Sequence, residues 1–294
     1  MTNKFLERIE SGSVLVADGA TGSSLQQRGL PGGKAGEWWV LENPVEIERL
    51  EMDFIQAGAE VILTCTFGGT RLRLEQSGLA AKAERINRTA AELALKAAAD
   101  SGVFVAGSMG PTGLMVEPYG TLTMSEAEAA YAEQARWLVE SSVDLLVIET
   151  QFDLGEATAA VRGVRSVSDI PLVCSFSFDR GTRTIMGVSP ASAASALVDS
   201  GVDLLGINCG RSLAENLKAL QELRAATSLP LWFKPNAGIP LVDENGNAVY
   251  QTTPQQMAEQ VPAWISAGAQ VIGGCCGTSP EHLSAIARAA AELQ

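Results

Sequence analysis

The chain has 294 residues, with 21 Lys or Arg against 34 Asp or Glu, a net charge of −13 at neutral pH. That balance argues against nucleic acid or an anionic membrane surface as a partner and sets up a field favourable to cationic ligands. Hydrophobic content of 46% with 19% charged residues is that of a globular protein with a sizeable core. The opening Met1-Thr2-Asn3-Lys4 does not read as a signal peptide, and no apolar run is long enough to span a bilayer. Five cysteines, an odd number, suit a reducing compartment better than a disulfide framework, so the expected location is the cytoplasm.

In chain order, Phe5-Leu6-Glu7-Arg8-Ile9 predicts a short amphipathic helix, and the apolar run 14–17 a first strand that leads into Asp18-Gly19-Ala20-Thr21-Gly22. A loop rich in Gly, Pro and Trp follows to Asn43-Pro44, where a helix carries the chain to Ala57. One phrase then recurs: a helix closes on a short turn and a buried strand opens, at Ala57-Gly58-Ala59-Glu60-Val61-Ile62, Ser142-Val143-Asp144-Leu145-Leu146, Gly201-Val202-Asp203-Leu204-Leu205 and Gly268-Ala269-Gln270-Val271-Ile272. Glycine ends helices in the left-handed conformation, and apolar runs without alternation mark strands buried on both faces of a parallel sheet. Such runs fall at residues 14–17, 61–65, 103–108, 145–150, 172–176, 204–209, 231–234 and 271–275. Capping boxes are predicted at Ser125-Glu126-Ala127-Glu128 and Thr253-Pro254-Gln255-Gln256, and Ser279-Pro280 starts the last helix. Eight strands alternating with helices predict an α/β fold, one (β/α)8 TIM barrel over residues 1–294. A doubly wound open sheet is the alternative, but no glycine-rich dinucleotide fingerprint follows any strand.

In such a barrel the active site lies at the C-terminal strand ends. Here those ends carry Asp18, Thr64-Cys65-Thr66, Ser108, Glu149-Thr150, Asn208-Cys209, Lys234-Pro235-Asn236 and Cys275-Cys276, a bias towards acids and thiols. The glycines of Gly273-Gly274-Cys275-Cys276-Gly277-Thr278 free the backbone to aim both sulfurs at one point. With Cys209, three thiolates could hold zinc with its fourth position open, as in catalytic sites. Buried structural cysteines and a vicinal disulfide remain as alternatives. His282 is the sole histidine, so a His-rich metal site is excluded.

Together these stretches, with Gly107-Ser108-Met109-Gly110-Pro111-Thr112 and Pro235-Asn236-Ala237-Gly238, resemble the homocysteine S-methyltransferase family. That family includes betaine–homocysteine methyltransferase and the homocysteine module of cobalamin-dependent methionine synthase. The resemblance covers essentially the whole chain. It implies that Cys209, Cys275 and Cys276 bind Zn2+ and that homocysteine's thiol takes the open position. It further implies that Asp18, Gly19, Thr64 and Glu149 hold the amino acid's ends and that Asn208 supports the adjacent ligand. Two departures stand out: Cys65 where asparagine is usual in relatives of the methionine-synthase type, and Gly68 where the betaine enzyme has a metal-reaching tyrosine. Cys65 is expected to line the pocket and Cys174 to belong to the core. The methyl donor is expected to be a small sulfonium or quaternary ammonium compound meeting the face of Trp38 or Trp39 in the loop Lys34-Ala35-Gly36-Glu37-Trp38-Trp39. The alternatives are another thiol acceptor, a separate methyl-corrinoid protein as donor, or a zinc- or thiol-binding barrel without turnover. Residues 242–250, with the turn signal Asn245-Gly246, suggest a lid.

Overall fold

The computed structural model describes residues 3–242 and 248–293. Eight parallel strands form one sheet: β1 (Leu15–Val16), β2 (Val61–Leu63), β3 (Phe104–Met109), β4 (Leu145–Gln151), β5 (Leu172–Phe176), β6 (Leu204–Cys209), β7 (Leu231–Pro235) and β10 (Ala269–Ile272). Their order is β1-β10-β7-β6-β5-β4-β3-β2, and a parallel bridge between Ala17 and Val61 joins the two ends of the list. The ring therefore closes as a (β/α)8 barrel, with helices between successive strands. A two-residue antiparallel pair, β8 (Leu241–Val242) with β9 (Ala248–Val249), sits between β7 and β10. The predicted Asn245-Gly246 turn between them lies outside the described residues.

Two layers of core follow from the residue pattern. Strand residues pointing inward, among them Leu15, Val61, Leu145, Val147, Leu204 and Val271, pack with Trp232 in the barrel interior. The first helix, Lys4–Glu10, is capped by Asn3, whose side chain accepts from the amides of Phe5 and Leu6. It presents Phe5 and Ile9 to this interior, with Phe5 edge-on to Phe104 at 5.6 Å, and so covers the end of the barrel where the strands begin. Residues facing outward from the strands meet the helices in a second, larger cluster.

The predicted strands are all present, with shifts of a few residues at their ends. The largest difference is β10, which ends at Ile272 because Gly273 and Gly274 leave the sheet before the cysteines. The loop expected before Asn43-Pro44 contains two short helices, Thr21–Gln27 and Gly36–Glu42. The capping box predicted at Ser125 lies two residues earlier, where Thr123 and Glu126 cap each other; the box at Thr253 and Gln256 stands as predicted.

Phe5 is fully buried although only the seven-residue first helix carries it. Phe5→Ala should destabilise the barrel by about 3–5 kcal/mol, the cost of an emptied aromatic core site. Denaturant unfolding followed by circular dichroism reads this as a lower midpoint at unchanged slope.

Candidate active site

Backbone constraints shape the strand ends that carry the cysteines. β6 ends at Cys209, whose φ of +59° is left-handed, and such a conformation costs a non-glycine residue on the order of 1–3 kcal/mol. The surroundings hold it there. The Asn216 side-chain amide donates to the Cys209 carbonyl at 2.7 Å, and the Asn236 backbone amide donates to the same oxygen at 3.2 Å. After β10, a Cβ on Gly273 would stand 2.5 Å from the Ala17 carbonyl oxygen, so only glycine turns the chain there. The Cys275 amide then donates to the Pro235 carbonyl and the Ala237 amide to the Cys276 carbonyl, both at 2.9 Å.

These constraints bring Cys209 Sγ to 3.0 Å from Cys275 Sγ and 4.0 Å from Cys276 Sγ, with all three within 4.8 Å of one another. None is in a disulfide. Cys209 hydrogen-bonds Cys276 and, with help from Cys275, draws its thiol down to about 3, while the same bonds push Cys209 well above the ordinary range. Three soft donors converging from the end of β6 and the turn after β10 are a ligand set for one thiophilic cation, with room left for a fourth ligand in a tetrahedral site. Among the described residues no other group of three His, Cys, Asp or Glu side chains converges in this way.

Beside the sulfurs lies a buried charge system. Lys234, on β7, pairs with Asp18 Oδ1, and Asp18 Oδ2 accepts from the Leu63 amide at 2.7 Å. Burial penalises the Lys234 ammonium, but the carboxylates of Asp18 and Glu149 outweigh that penalty and raise its pKa. Glu149, on β4, accepts from the Ser108 hydroxyl at 2.5 Å and from the Asn208 side-chain amide at 3.4 Å. Burial pushes the Glu149 carboxyl up to about 7, partly opposed by Lys234 and reinforced by Cys275. Asn208 is fully buried and bonded on every side: its oxygen accepts from the Thr150 amide and the Ser175 hydroxyl, and its amide donates to Thr150 Oγ1 and, at 3.8 Å, lies near Cys275 Sγ.

A cavity of about 730 Å³ opens over this floor. Its deep part is lined by Gly19, Thr64, Ser108, Glu149, Lys234 and the three cysteines, and its outer part by Leu30, Lys34, Gly36, Glu37, Cys65, Phe67, Arg73 and Leu74. Of the predicted site residues, Cys209, Cys275, Cys276, Gly19, Thr64 and Glu149 therefore share one cavity. Asp18 and Asn208 are not on its surface; they stand behind Lys234 and Cys209. Trp38 is not in the lining either: it packs on the outer core, and its ring face is covered by Lys34 Nζ at 5.3 Å. Its neighbour Glu37 faces the cavity instead, buried and accepting from the Gly68 amide at 2.5 Å. Cys65 lines the outer part and Cys174 is fully buried in β5, as expected. The sequence reading gave Lys234 and Ser108 no role; the signal was a lysine inside the apolar run Leu231-Trp232-Phe233-Lys234.

The model of the homocysteine S-methyltransferase family matches residues 15–290. The chain belongs to that family. Methionine synthase of Mycobacterium tuberculosis is 30% identical over 300 residues, which cover 96% of this chain and 25% of that protein. Methionine synthase of Mycobacterium leprae is 30% identical over 297 residues, 95% of this chain and 24% of that protein. The chain thus spans about a quarter of the length of these relatives. The metallated form of the homocysteine methyltransferase MmuM from Escherichia coli has the same fold at a TM-score of 0.82 and 27% identity, covering 96% of this chain and 98% of that one. A methyltransferase from Methanosarcina mazei shares the fold at a TM-score of 0.65 and 13% identity.

The buried pair makes a test of the electrostatic floor. Lys234→Met leaves the Asp18 carboxyl without its cation and should cost about 3–5 kcal/mol, whereas adding Asp18→Asn to it should recover part of that loss. Unfolding midpoints of the two single variants and the double variant read the coupling. Additive losses would show that the two side chains do not act as a pair.

Proposed function

We propose that this chain is a zinc-dependent methyltransferase that moves a methyl group from a small onium donor to the thiol of homocysteine, forming methionine, with residues 1–294 acting as one homocysteine-binding barrel. The observation that carries the reading is that three convergent thiols, a buried lysine and a buried glutamate line the floor of one cavity. Homocysteine presents a thiol, an ammonium and a carboxylate, and each has a counterpart there. Glu149 fits the ammonium. Lys234 fits the carboxylate, with Gly19 and Thr64 shaping the wall and Asp18 keeping the lysine charged. Zinc held by Cys209, Cys275 and Cys276 would lower the pKa of a fourth thiol and present its sulfur as a nucleophile at neutral pH. The cavity places no histidine near that sulfur, and with a metal to remove the proton none is needed. Positioning by Glu149 and Lys234 supplies the rest by aligning sulfur, methyl and leaving group.

The outer part of the cavity suits the donor. Glu37 offers a carboxyl in a half-apolar wall of Leu30, Phe67 and Leu74; burial raises its pKa, and a methylated cation beside it would favour the charged form. Lys34 and Arg73 at the rim suit an acidic group at the donor's far end. On this reading the donor cation's partner is Glu37, since Trp38 lies outside the cavity lining.

The direct experiment incubates zinc-loaded protein with homocysteine and a panel of methylated sulfonium and ammonium compounds, reading methionine by mass spectrometry. Methionine from one donor supports the proposal and names the donor. Turnover only with a methylated corrinoid protein would move the donor onto a partner, and binding without product under every donor would leave a thiol-binding barrel. Metal analysis should find about one zinc per chain, lost in Cys276→Ser and kept in Cys174→Ser.

Glu149 adds a pH signature. Because its carboxyl titrates near 7 in the free protein, it is neutral below that pH and cannot pair with an ammonium. Affinity for methionine, which has the same ammonium and no thiol, should rise as pH increases to about 7 and level off above. Below 7 it should fall about tenfold per unit at the steepest. Glu149→Gln should flatten this limb, weaken binding about tenfold at pH 8 and leave the zinc content unchanged. Calorimetric titration across pH checks it; a limb that survives in the glutamine variant rules out Glu149 as the ammonium's partner.

A further inference from the structure

Ser108 lines the deep part of the cavity, yet methyl transfer as proposed gives it no task. It is almost fully buried, and its backbone is bonded on both sides. Its amide donates to Thr64 Oγ1 at 3.1 Å, and its carbonyl accepts from the Thr66 hydroxyl at 2.7 Å and from the Gln134 side-chain amide at 3.3 Å. Its hydroxyl donates to Glu149 Oε1 at 2.5 Å. A hydroxyl has one hydrogen and two lone pairs, and an ionised carboxylate only accepts. The Ser108 hydrogen is therefore committed, and only lone pairs are left for a ligand. The neighbouring hydroxyls have their directions fixed as well. Thr66 gives its hydrogen to the Ser108 carbonyl, so the 2.6 Å contact between Thr64 Oγ1 and Thr66 Oγ1 must be donated by Thr64. Thr66 is fully buried, so the Thr64 hydrogen points into the wall. Near the ends of β2, β3 and β4, then, Thr64, Ser108 and Glu149 have no side-chain hydrogen left for a ligand.

This polarity selects among groups that differ only in their hydrogens. Ser108 Oγ and Glu149 Oε1 are 2.5 Å apart, so a group bound to that carboxylate oxygen has the serine oxygen beside it. An ammonium carries three hydrogens and can give one to each oxygen while keeping a third. A hydroxyl carries one. Once that hydrogen goes to Glu149, the hydroxyl oxygen faces the Ser108 oxygen lone pair to lone pair, with no hydrogen between them. A buried acceptor left in that position carries its desolvation cost unrelieved, and sites built to bond a ligand's N–H reject the analogue without it.

We propose that Ser108 is a specificity-determining residue: its oxygen accepts a hydrogen from the substrate's ammonium alongside Glu149, so the cavity prefers 2-amino acids to their 2-hydroxy analogues. The inference rests on the reading of the cavity as an amino-acid methyl-transfer site. Native protein and Ser108→Ala are titrated calorimetrically at pH 8 with methionine and with its 2-hydroxy analogue. The ratio of the two affinities should fall at least about fivefold in the alanine variant, the size of one hydrogen bond. A purely structural serine would weaken both ligands alike, so an unchanged ratio overturns the proposal. A loss that shrinks about threefold on going to pH 8.5 would mean that Ser108 acts only by keeping Glu149 ionised, and would overturn the direct contact. Should Ser108→Ala fail to fold, a crystal structure of the native protein with methionine decides. The ligand nitrogen should lie within about 3.2 Å of Ser108 Oγ, and a distance beyond hydrogen-bond range sinks the idea. Native protein that makes methionine yet shows no such contact keeps the proposed function and loses this inference; native protein that binds no 2-amino acid loses both.

Discussion

The buried ion pair between Asp18 and Lys234 is the interaction on which the site depends. The two residues lie 216 positions apart. Asp18 also holds the β1–β2 junction, where the ladder is reduced to a bridge: its amide donates to the Val61 carbonyl at 2.9 Å and its carboxylate accepts from the Leu63 amide. Its own carbonyl accepts from the Gly274 amide at 3.1 Å, one residue before the vicinal cysteines. One aspartate thus ties together barrel closure, the buried cation and the turn that aims two sulfurs. Burying two charges costs several kcal/mol per ion before their attraction is counted, so a hydrophobic pair would serve stability as well or better. What a hydrophobic pair would not do is leave a cation beside Glu149 at the floor of a cavity.

Much of this was legible in the sequence because it depends on local rules. Unbroken apolar runs at helix-ending turns located all eight strands, and the strand-end rule picked out the three cysteines and Glu149. What local rules cannot supply is which neighbour a side chain faces. Asp18 reads as a ligand-binding acid until Lys234 is seen to occupy it. Trp38 reads as an aromatic platform until the helix Gly36–Glu42 turns it towards the core and Lys34 covers its face. That helix begins in a stretch of glycines, where periodicity carries no signal, so a loop was the natural expectation.

The left-handed residues show how the scaffold prepares the site. Among the described non-glycine residues only four have positive φ, and two of them line the cavity: Thr150, next to last in β4, and Cys209, the last residue of β6. Asn208 couples them, accepting from the Thr150 amide while its own backbone leads directly into Cys209. Strain of this kind persists only where surrounding bonds over-determine it. Those bonds come from Asn208, Asn216, Ser175 and Asn236, all neutral. Neutral donors can fix a thiol's direction without adding charge that would compete with a metal for it. The sulfurs are therefore oriented by backbone geometry, and their electrostatics are set separately by Lys234 and Glu149.

That separation also explains why the net charge of −13 is a poor guide to the ligand. Exposed charges farther apart than about 10 Å are screened at ordinary ionic strength, so most of the acidic surface does not reach the cavity. What a ligand meets is local: buried Glu37 on one wall, Lys34 and Arg73 at the rim, and the Lys234 cation at the floor. A simple cation would suffer repulsion at both ends of such a cavity, whereas two amphoteric molecules, one deep and one outer, would each find both of their charges matched. On the proposed methyl-transfer reading, this arrangement favours zwitterionic reactants, a narrower class than the acidity of the whole chain suggests.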